Sequence, residues 1–123
     1  MSDKAMVQNE QPSTETYVTP AVDICEKEQE LLLYADMPGV VQDNLSLDFD
    51  KGVLTIDGWY DQHINNDGNA EIVRYHYRRR FGIGNKFDPQ QADATLDGGV
   101  LSVKLPRLQA TLPQKIEVKV ANS

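Results

Sequence analysis

Apolar and polar residues alternate with a period of two along most of the chain. Leu45, Leu47 and Phe49 are separated by single polar residues, and Leu101, Val103 and Leu105 repeat the pattern near the end of the chain. Alternation places successive side chains on opposite faces of a strand, so each segment has one dry face and one solvated face. No window of about eleven residues follows the helical period of 3.6. The pattern therefore predicts β-strands.

Turn residues separate these alternating segments. Asp36-Met37-Pro38-Gly39 ends an apolar run, and Asp50-Lys51-Gly52 and Asp97-Gly98-Gly99 each stand between two alternating segments. Pro fixes φ and Gly permits positive φ, so these sequences favour tight reversals. Short strands with frequent turns predict an all-β fold, an immunoglobulin-like antiparallel β-sandwich.

The 123 residues suffice for one domain and divide into three zones. Residues 1–16 are polar and lack aromatic side chains, which predicts a flexible N-terminal arm. Residues 17–106 hold nearly all the large apolar side chains and form the predicted domain. Residues 107–123 form a C-terminal extension in which Ile116, Val118 and Val120 alternate with polar residues.

Composition and charge argue against several classes of function. The net charge is −7, which argues against a general nucleic-acid binder because such proteins need a basic face. The single cysteine, Cys25, excludes an internal disulfide and a cysteine-rich zinc site. No apolar run is long enough for a membrane span, and residues 1–16 lack the apolar core of a secretory signal. We therefore expect no membrane span and a cytoplasmic location.

Residue patterns typical of catalysis or of cofactor binding are weak. His63 and His76 have no partner pattern for acid–base or nucleophilic chemistry. The Asp- and Asn-rich stretch 61–69 departs from a calcium loop, since His63 would take the first ligand position and Arg74 the place of the bidentate Glu. We therefore expect that the chain is not an enzyme and that it binds neither a cofactor nor a metal ion.

Arg74, Arg78 and Arg80 share one parity of a predicted strand, and Tyr75 and Tyr77 share the other. Interleaved basic and aromatic residues can track a nucleic-acid strand while its bases stack. Alternation, however, puts these arginines and aromatics on opposite faces. This favours a charged face that pairs with acidic residues of a neighbouring strand or of a partner subunit. We therefore expect that the chain does not bind nucleic acid.

Three segments of the chain resemble the α-crystallin domain of small heat-shock proteins. The segment 35–40 (Ala-Asp-Met-Pro-Gly-Val), with the Leu45 strand and Gly52-Val53-Leu54 after it, is similar to the first half of that domain. Segment 94–103, which contains the unit Gly99-Val100-Leu101, is similar to the family signature. Ile116-Glu117-Val118 looks like the family's C-terminal I-x-I/V anchor. The resemblance covers residues 18–120, most of the chain.

The resemblance implies an ATP-independent holdase chaperone that binds partly unfolded proteins before they aggregate. It implies that the anchor, Ile116 and Val118, docks in a groove lined by Leu45, Leu47, Ala94 and Leu96, which also binds clients. The alternative hypothesis is that the chain is a co-chaperone-like adaptor, resembling the p23 co-chaperones, that binds one specific folded partner.

The resemblance also implies a homodimer. In one arrangement the stretch 59–70 is a loop, and a strand near residues 71–76 is exchanged with the partner. In the other, a continuous strand over residues 72–83 pairs edge to edge. Six side chains are expected at the dimer interface: Ile72, Arg74, Tyr75, His76, Arg78 and Arg80. Because the N-terminal arm is poor in apolar residues, we expect a dimer or a small homo-oligomer.

Overall fold

The computed structural model describes residues 11–109 and 115–121. Within these residues eight strands follow one another, with short 3-10 turns at Gln42–Asn44 and Pro89–Gln91. The strands are β1 (Thr14–Val18), β2 (Val22–Glu26), β3 (Glu30–Asp36), β4 (Leu45–Asp50), β5 (Val53–Asn66), β6 (Asn69–Gly82), β7 (Asp93–Asp97) and β8 (Val100–Pro106).

The strands form two four-stranded sheets, with the orders β1-β6-β5-β4 and β2-β3-β8-β7. Five of the six pairings are antiparallel, and β1 with β6 is parallel. The predicted all-β sandwich is confirmed, with this one parallel pair as a departure from a fully antiparallel arrangement. None of the described residues belongs to a helix long and apolar enough to cross a membrane.

The core lies between the sheets and uses the alternation seen in the sequence. Leu31, Leu33 and Ala35 of β3 are buried at every second position and face Leu54 and Ile56 of β5 across the core cluster. The intervening residues of β3 are more exposed. Burying such aliphatic side chains contributes about 1.5–3 kcal/mol each to the free energy of folding.

The long hairpin of β5 and β6 replaces the predicted loop at residues 59–70, so that expectation is wrong. The two strands pair without interruption from Val53 and Gly82 to Asn66 and Asn69. Asp67 (φ 50°) and Gly68 (φ 80°) form the reversal, and positive φ at both central residues suits a two-residue hairpin. The polar residues that were expected to form a loop therefore belong to the two strands of the hairpin, which extends beyond the sandwich.

The N-terminal strand β1 corrects the boundary of the predicted flexible arm. Thr14 to Thr16, placed in that arm from the sequence, pair with Val73 to Tyr75 of β6. The strand forms through its backbone, since its side chains are exposed except for a half-buried Thr16. Polar side chains do not prevent such pairing, whereas hydrophobic patterning cannot reveal it. Residues 1–10 of the predicted arm lie outside the described residues.

Candidate functional site

A groove lined mainly by aliphatic side chains, and called the apolar groove below, runs between the two sheets at one side of the sandwich. Its volume is about 480 Å³, and it is open to solvent. Seven residues line it: Gln42, Leu45, Leu47, Ala94, Thr95, Leu96 and Leu101. The four residues expected from the sequence to line a groove, Leu45, Leu47, Ala94 and Leu96, are thus brought together by the fold.

Two edge strands border this groove. β4 is the last strand of one sheet and β7 the last strand of the other. Along β4, Leu45 and Leu47 turn inward, and along β7, Ala94 and Leu96 do so. Leu101 of β8 is buried and forms part of the lining between the two edges. An extended segment can add its backbone to such an edge and place alternate side chains in the groove.

The turn between β7 and β8 holds this side of the groove in place. Gly99 has a φ of 80°, and a Cβ there would lie 2.9 Å from the Cα of Pro38. The carbonyl of Gly99 accepts a hydrogen bond from the N–H of Met37 at 2.7 Å. The Gly-Val-Leu unit therefore packs against the Asp-Met-Pro-Gly turn, so two motifs distant in sequence meet beside the groove.

The C-terminal tail, residues 115–121, is not docked in the groove of its own chain. Ile116 and Val118, the predicted anchor, are 84% and 86% exposed. Val120 is equally exposed, at 87%. The chain therefore presents an open apolar groove and, separately, an exposed segment with apolar side chains at alternate positions.

The arginines of β6 pair with acidic residues of the adjacent strand β5. Arg74 donates two hydrogen bonds to Asp61, at 2.7 and 3.0 Å, and its guanidinium lies 3.8 Å from the ring centroid of Trp59. The hydrogen bond from Arg74 lowers the pKa of Asp61 below 3.8, and the same bond raises the pKa of Arg74. Arg78 lies 3.4 Å from Asp57. These contacts agree with the expectation that the arginines of β6 pair with acidic residues of a neighbouring strand.

The other predicted interface residues occupy the same region of β6. Nε2 of His76 lies 2.7 Å from Oε1 of Glu15, and the His76 ring stacks on Tyr17 at 4.5 Å. Tyr75 stacks on Tyr60 with ring centroids 5.1 Å apart. Glu15 and Tyr17 were not predicted to take part, because only the parallel pairing of β1 brings them to His76.

Two further predicted interface residues lie at the ends of this region. Ile72 accepts a backbone hydrogen bond from Ser13 at 2.8 Å, and Arg80 is exposed opposite Thr55. All six predicted interface residues thus lie along β6. Their contact with a second subunit stays a prediction.

Metal-binding side chains do not cluster in the described part of the chain. Within residues 11–109 and 115–121, no group of three or more His, Cys, Asp or Glu is placed to hold an ion. Cys25 is exposed on β2 as a free thiol.

Comparison with known proteins gives a consistent family. The model of the Hsp20/alpha crystallin family matches residues 23–121. Small heat shock protein C4 of Rickettsia felis is 32% identical over 105 residues, which is 82% of this chain and 64% of that protein. The chain thus spans less than two thirds of that relative's length. A probable 15 kDa heat shock protein of Leptospira interrogans is 32% identical over 108 residues, covering 83% of this chain and 79% of that protein.

Solved structures agree with the sequence relatives. A small heat-shock protein from Xylella fastidiosa, described as having a distinct high order structure, aligns with a TM-score of 0.61 and 29% identity over 84% of this chain and 98% of that chain. Heat shock protein 16.0 from Schizosaccharomyces pombe aligns with a TM-score of 0.64 over 86% of this chain and 99% of that chain. At 22% identity, the second similarity supports the fold alone.

Proposed function

The chain belongs to the Hsp20/alpha crystallin family, and we propose that it is an ATP-independent holdase that binds partly unfolded proteins and prevents their aggregation. The observation that carries this proposal is the open apolar groove between β4 and β7. Partly unfolded chains expose short extended segments with apolar side chains at alternate positions, which suit such a groove and its strand edges. The function needs neither a cofactor nor a catalytic residue.

The same groove binds the tail of another copy of the chain. Ile116 and Val118 are exposed, so they are available to a groove outside their own subunit. Burying the two side chains gives roughly 1.5–3 kcal/mol each, whereas ordering the backbone costs roughly 1–2 kcal/mol per residue. One docked tail is therefore weak, and several tails within one assembly are effective through their high local concentration. Tails and clients then compete for the groove.

The subunits dimerise through the β5–β6 hairpin. The last pair between β4 and β5 is Leu45 with Gly58, so the hairpin continues well beyond β4. β1 covers one edge of β6 from Val73 to Tyr77, and direct edge pairing there requires β1 to leave. The projecting hairpin therefore supports contact with a partner through the six interface residues of β6, as a homodimer or small homo-oligomer. The cytoplasmic location stays a prediction.

Light scattering of a thermolabile enzyme, heated without ATP, tests the holdase function. We expect the wild-type chain to suppress scattering at near-stoichiometric ratios. Ala94→Glu should abolish the effect because it places a carboxylate on the apolar wall of the groove, and Ala94 is exposed, so the fold tolerates the change. Ala21→Glu makes the same change at an exposed site that does not line the groove, and it should suppress scattering like wild type.

Two results would contradict the holdase proposal. One is full suppression by Ala94→Glu, which would separate the activity from the groove. The other is no suppression by the wild-type chain together with recovery of a single folded partner by affinity capture, which would favour the adaptor.

A further inference from the structure

The free edge of β7 carries a charge pattern that complements the tail. β7 is the end strand of its sheet, and no strand in the described part of the chain pairs with its outer edge. Its sequence is Asp93-Ala94-Thr95-Leu96-Asp97, with an acidic residue at each end. The tail reads Lys115-Ile116-Glu117-Val118-Lys119, with a basic residue at each end and a Glu in the centre.

These two segments match position by position when aligned side by side. Ile116 and Val118 fall beside Ala94 and Leu96, on the face that lines the groove. The two lysines then fall beside Asp93 and Asp97, and Glu117 falls beside the Thr95 hydroxyl. Both segments have charges at their first and fifth positions, so the pairing is the same whether the strands run parallel or antiparallel. Opposite charges placed directly across strands stabilise a sheet, and like charges destabilise it.

Other registers lose this match. A shift of one residue turns Ile116 and Val118 to the outer face, away from the groove. A shift of two residues keeps them inward but places Glu117 beside Asp93 or Asp97 and moves both lysines away from their acidic partners. Charge therefore excludes the register that apolar patterning alone would permit.

Of the two aspartates, Asp97 is the better position at which to test the charge match with the tail, because its neighbour on β8 carries no charge. On β8, the neighbour of Asp93 is Lys104, whereas the neighbour of Asp97 is Val100. β7 itself contains no basic residue, so the lysines of a tail added to its edge meet only acidic charges on that strand.

From this pattern we propose that the tail of a second copy adds to β7 as a fifth strand of that sheet, in the one register that places Lys115 and Lys119 beside Asp93 and Asp97. The inference rests on the proposed docking of tails in the groove and adds to it a selection by charge. The groove then prefers apolar segments with flanking lysines and disfavours those with flanking acids.

A peptide titration observed by NMR tests this proposal. The receiver is the full-length chain carrying Ile116→Ala and Val118→Ala, so its own tail does not compete. A peptide of residues 115–121 should shift the amide signals of β7 at millimolar concentration. A peptide with Lys115→Glu and Lys119→Glu should bind about tenfold more weakly, since both cross-strand pairs become repulsive.

A charge exchange on the receiver separates pairing from overall charge. With Asp97→Lys added to the receiver, the acidic peptide should regain affinity and the natural peptide should lose it. Asp23→Lys changes the net charge equally at an exposed position of β2, and it should leave the ratio of the two affinities unchanged.

The possible results are distinguishable. Equal binding of the two peptides, or equal effects of Asp97→Lys and Asp23→Lys, would overturn the charge-selected register and leave groove docking intact. Absence of binding by every peptide would overturn both the register and the docking of tails.

Discussion

Asp61 and Arg74 form a bidentate ion pair on the outer face of the long hairpin, with side chains 20% and 23% exposed. The pKa of Asp61 lies below 3.8, first because of its hydrogen bond with Arg74. In the folded chain Asp61 therefore releases its proton at a lower pH than in the unfolded chain. The unfolded chain binds more protons in the window between the two pKa values, so stability rises with pH there.

Asp61→Asn should therefore destabilise the fold in a pH-dependent way. At pH 7 we expect a loss of under about 1 kcal/mol in urea unfolding, as for other ion pairs near a surface. The difference from wild type should shrink as the pH falls below about 4, because the wild-type carboxylate becomes protonated. A difference of the same size at pH 7 and pH 3 would contradict this account.

The ion pair of Asp57 and Arg78 provides the control. Its contact is longer, at 3.4 Å, and its side chains are more exposed, at 37% and 56%. Asp57→Asn should therefore change the free energy of unfolding at pH 7 by less than Asp61→Asn does.

At the level of elements, the turn between β7 and β8 contains two glycines that allow the cost of backbone strain to be distinguished from the cost of close packing. Gly98 and Gly99 both have positive φ, at 57° and 80°. A Cβ at Gly98 would meet nothing within 4 Å, whereas one at Gly99 would meet the backbone of Pro38 at 2.9 Å.

Gly99→Ala should therefore cost more stability than Gly98→Ala. We expect about 1 kcal/mol for Gly98→Ala from its left-handed conformation. Gly99→Ala should cost about 1–3 kcal/mol more, because backbone atoms must move to admit the methyl group. Thermal and urea unfolding of the two variants measure this difference, and equal losses would argue against the close approach to Pro38.

Hydrophobic alternation predicted the strands whose side chains enter the core, and it was least informative for β1 and for the tip of the β5–β6 hairpin. β3 and β8 alternate because one face of each is buried, and β4 alternates because one face is half-buried. β1 escaped prediction because its side chains are mostly exposed, so its pairing with β6 leaves no buried face for hydrophobic alternation to show. The hairpin tip escaped because Asp and Asn are typical of loops, although Asp67-Gly68 is itself a hairpin signal.

The groove was predicted for a different reason. Alternation alone shows that Leu45 and Ala94 face inward, but it does not show that their strands are the two edges on the same side of the sandwich. That placement came from the resemblance, and sheet order supplies it here. The pairing of Glu15 with His76 depends on the parallel register of β1, which neither source indicated.

β1 should be the strand most sensitive to loss of a single side-chain contact. Glu15 and Tyr17 both contact His76, and β1 also pairs with β6 through its backbone. His76→Ala should therefore speed amide hydrogen exchange in β1 and leave the buried strand β3 unchanged. Arg78→Ala removes a side chain that pairs with β5 and serves as the control. Unchanged exchange in β1 of His76→Ala would show that the backbone ladder alone holds the strand.

For the whole molecule, the predicted dimer residues and the groove proposed for tail docking lie on different strands. The predicted dimer residues lie along β6, whereas the groove lies between β4 and β7, and β5 separates β6 from β4 in the sheet. A dimer built on the hairpin therefore leaves both grooves and both tails available. Because each dimer then has two weak connectors, its assembly into larger species should depend on protein concentration.

Ile116→Ala combined with Val118→Ala should remove this further assembly while leaving the dimer folded. We expect light scattering coupled to size-exclusion chromatography to show a wild-type mass that rises above that of the dimer with concentration, and a double variant that stays at the dimer mass. Val120→Ala is the control, because Val120 is just as exposed but lies outside the five residues that match β7. If the double variant assembles as wild type does, the connection between subunits lies elsewhere, and the exposed groove serves clients alone.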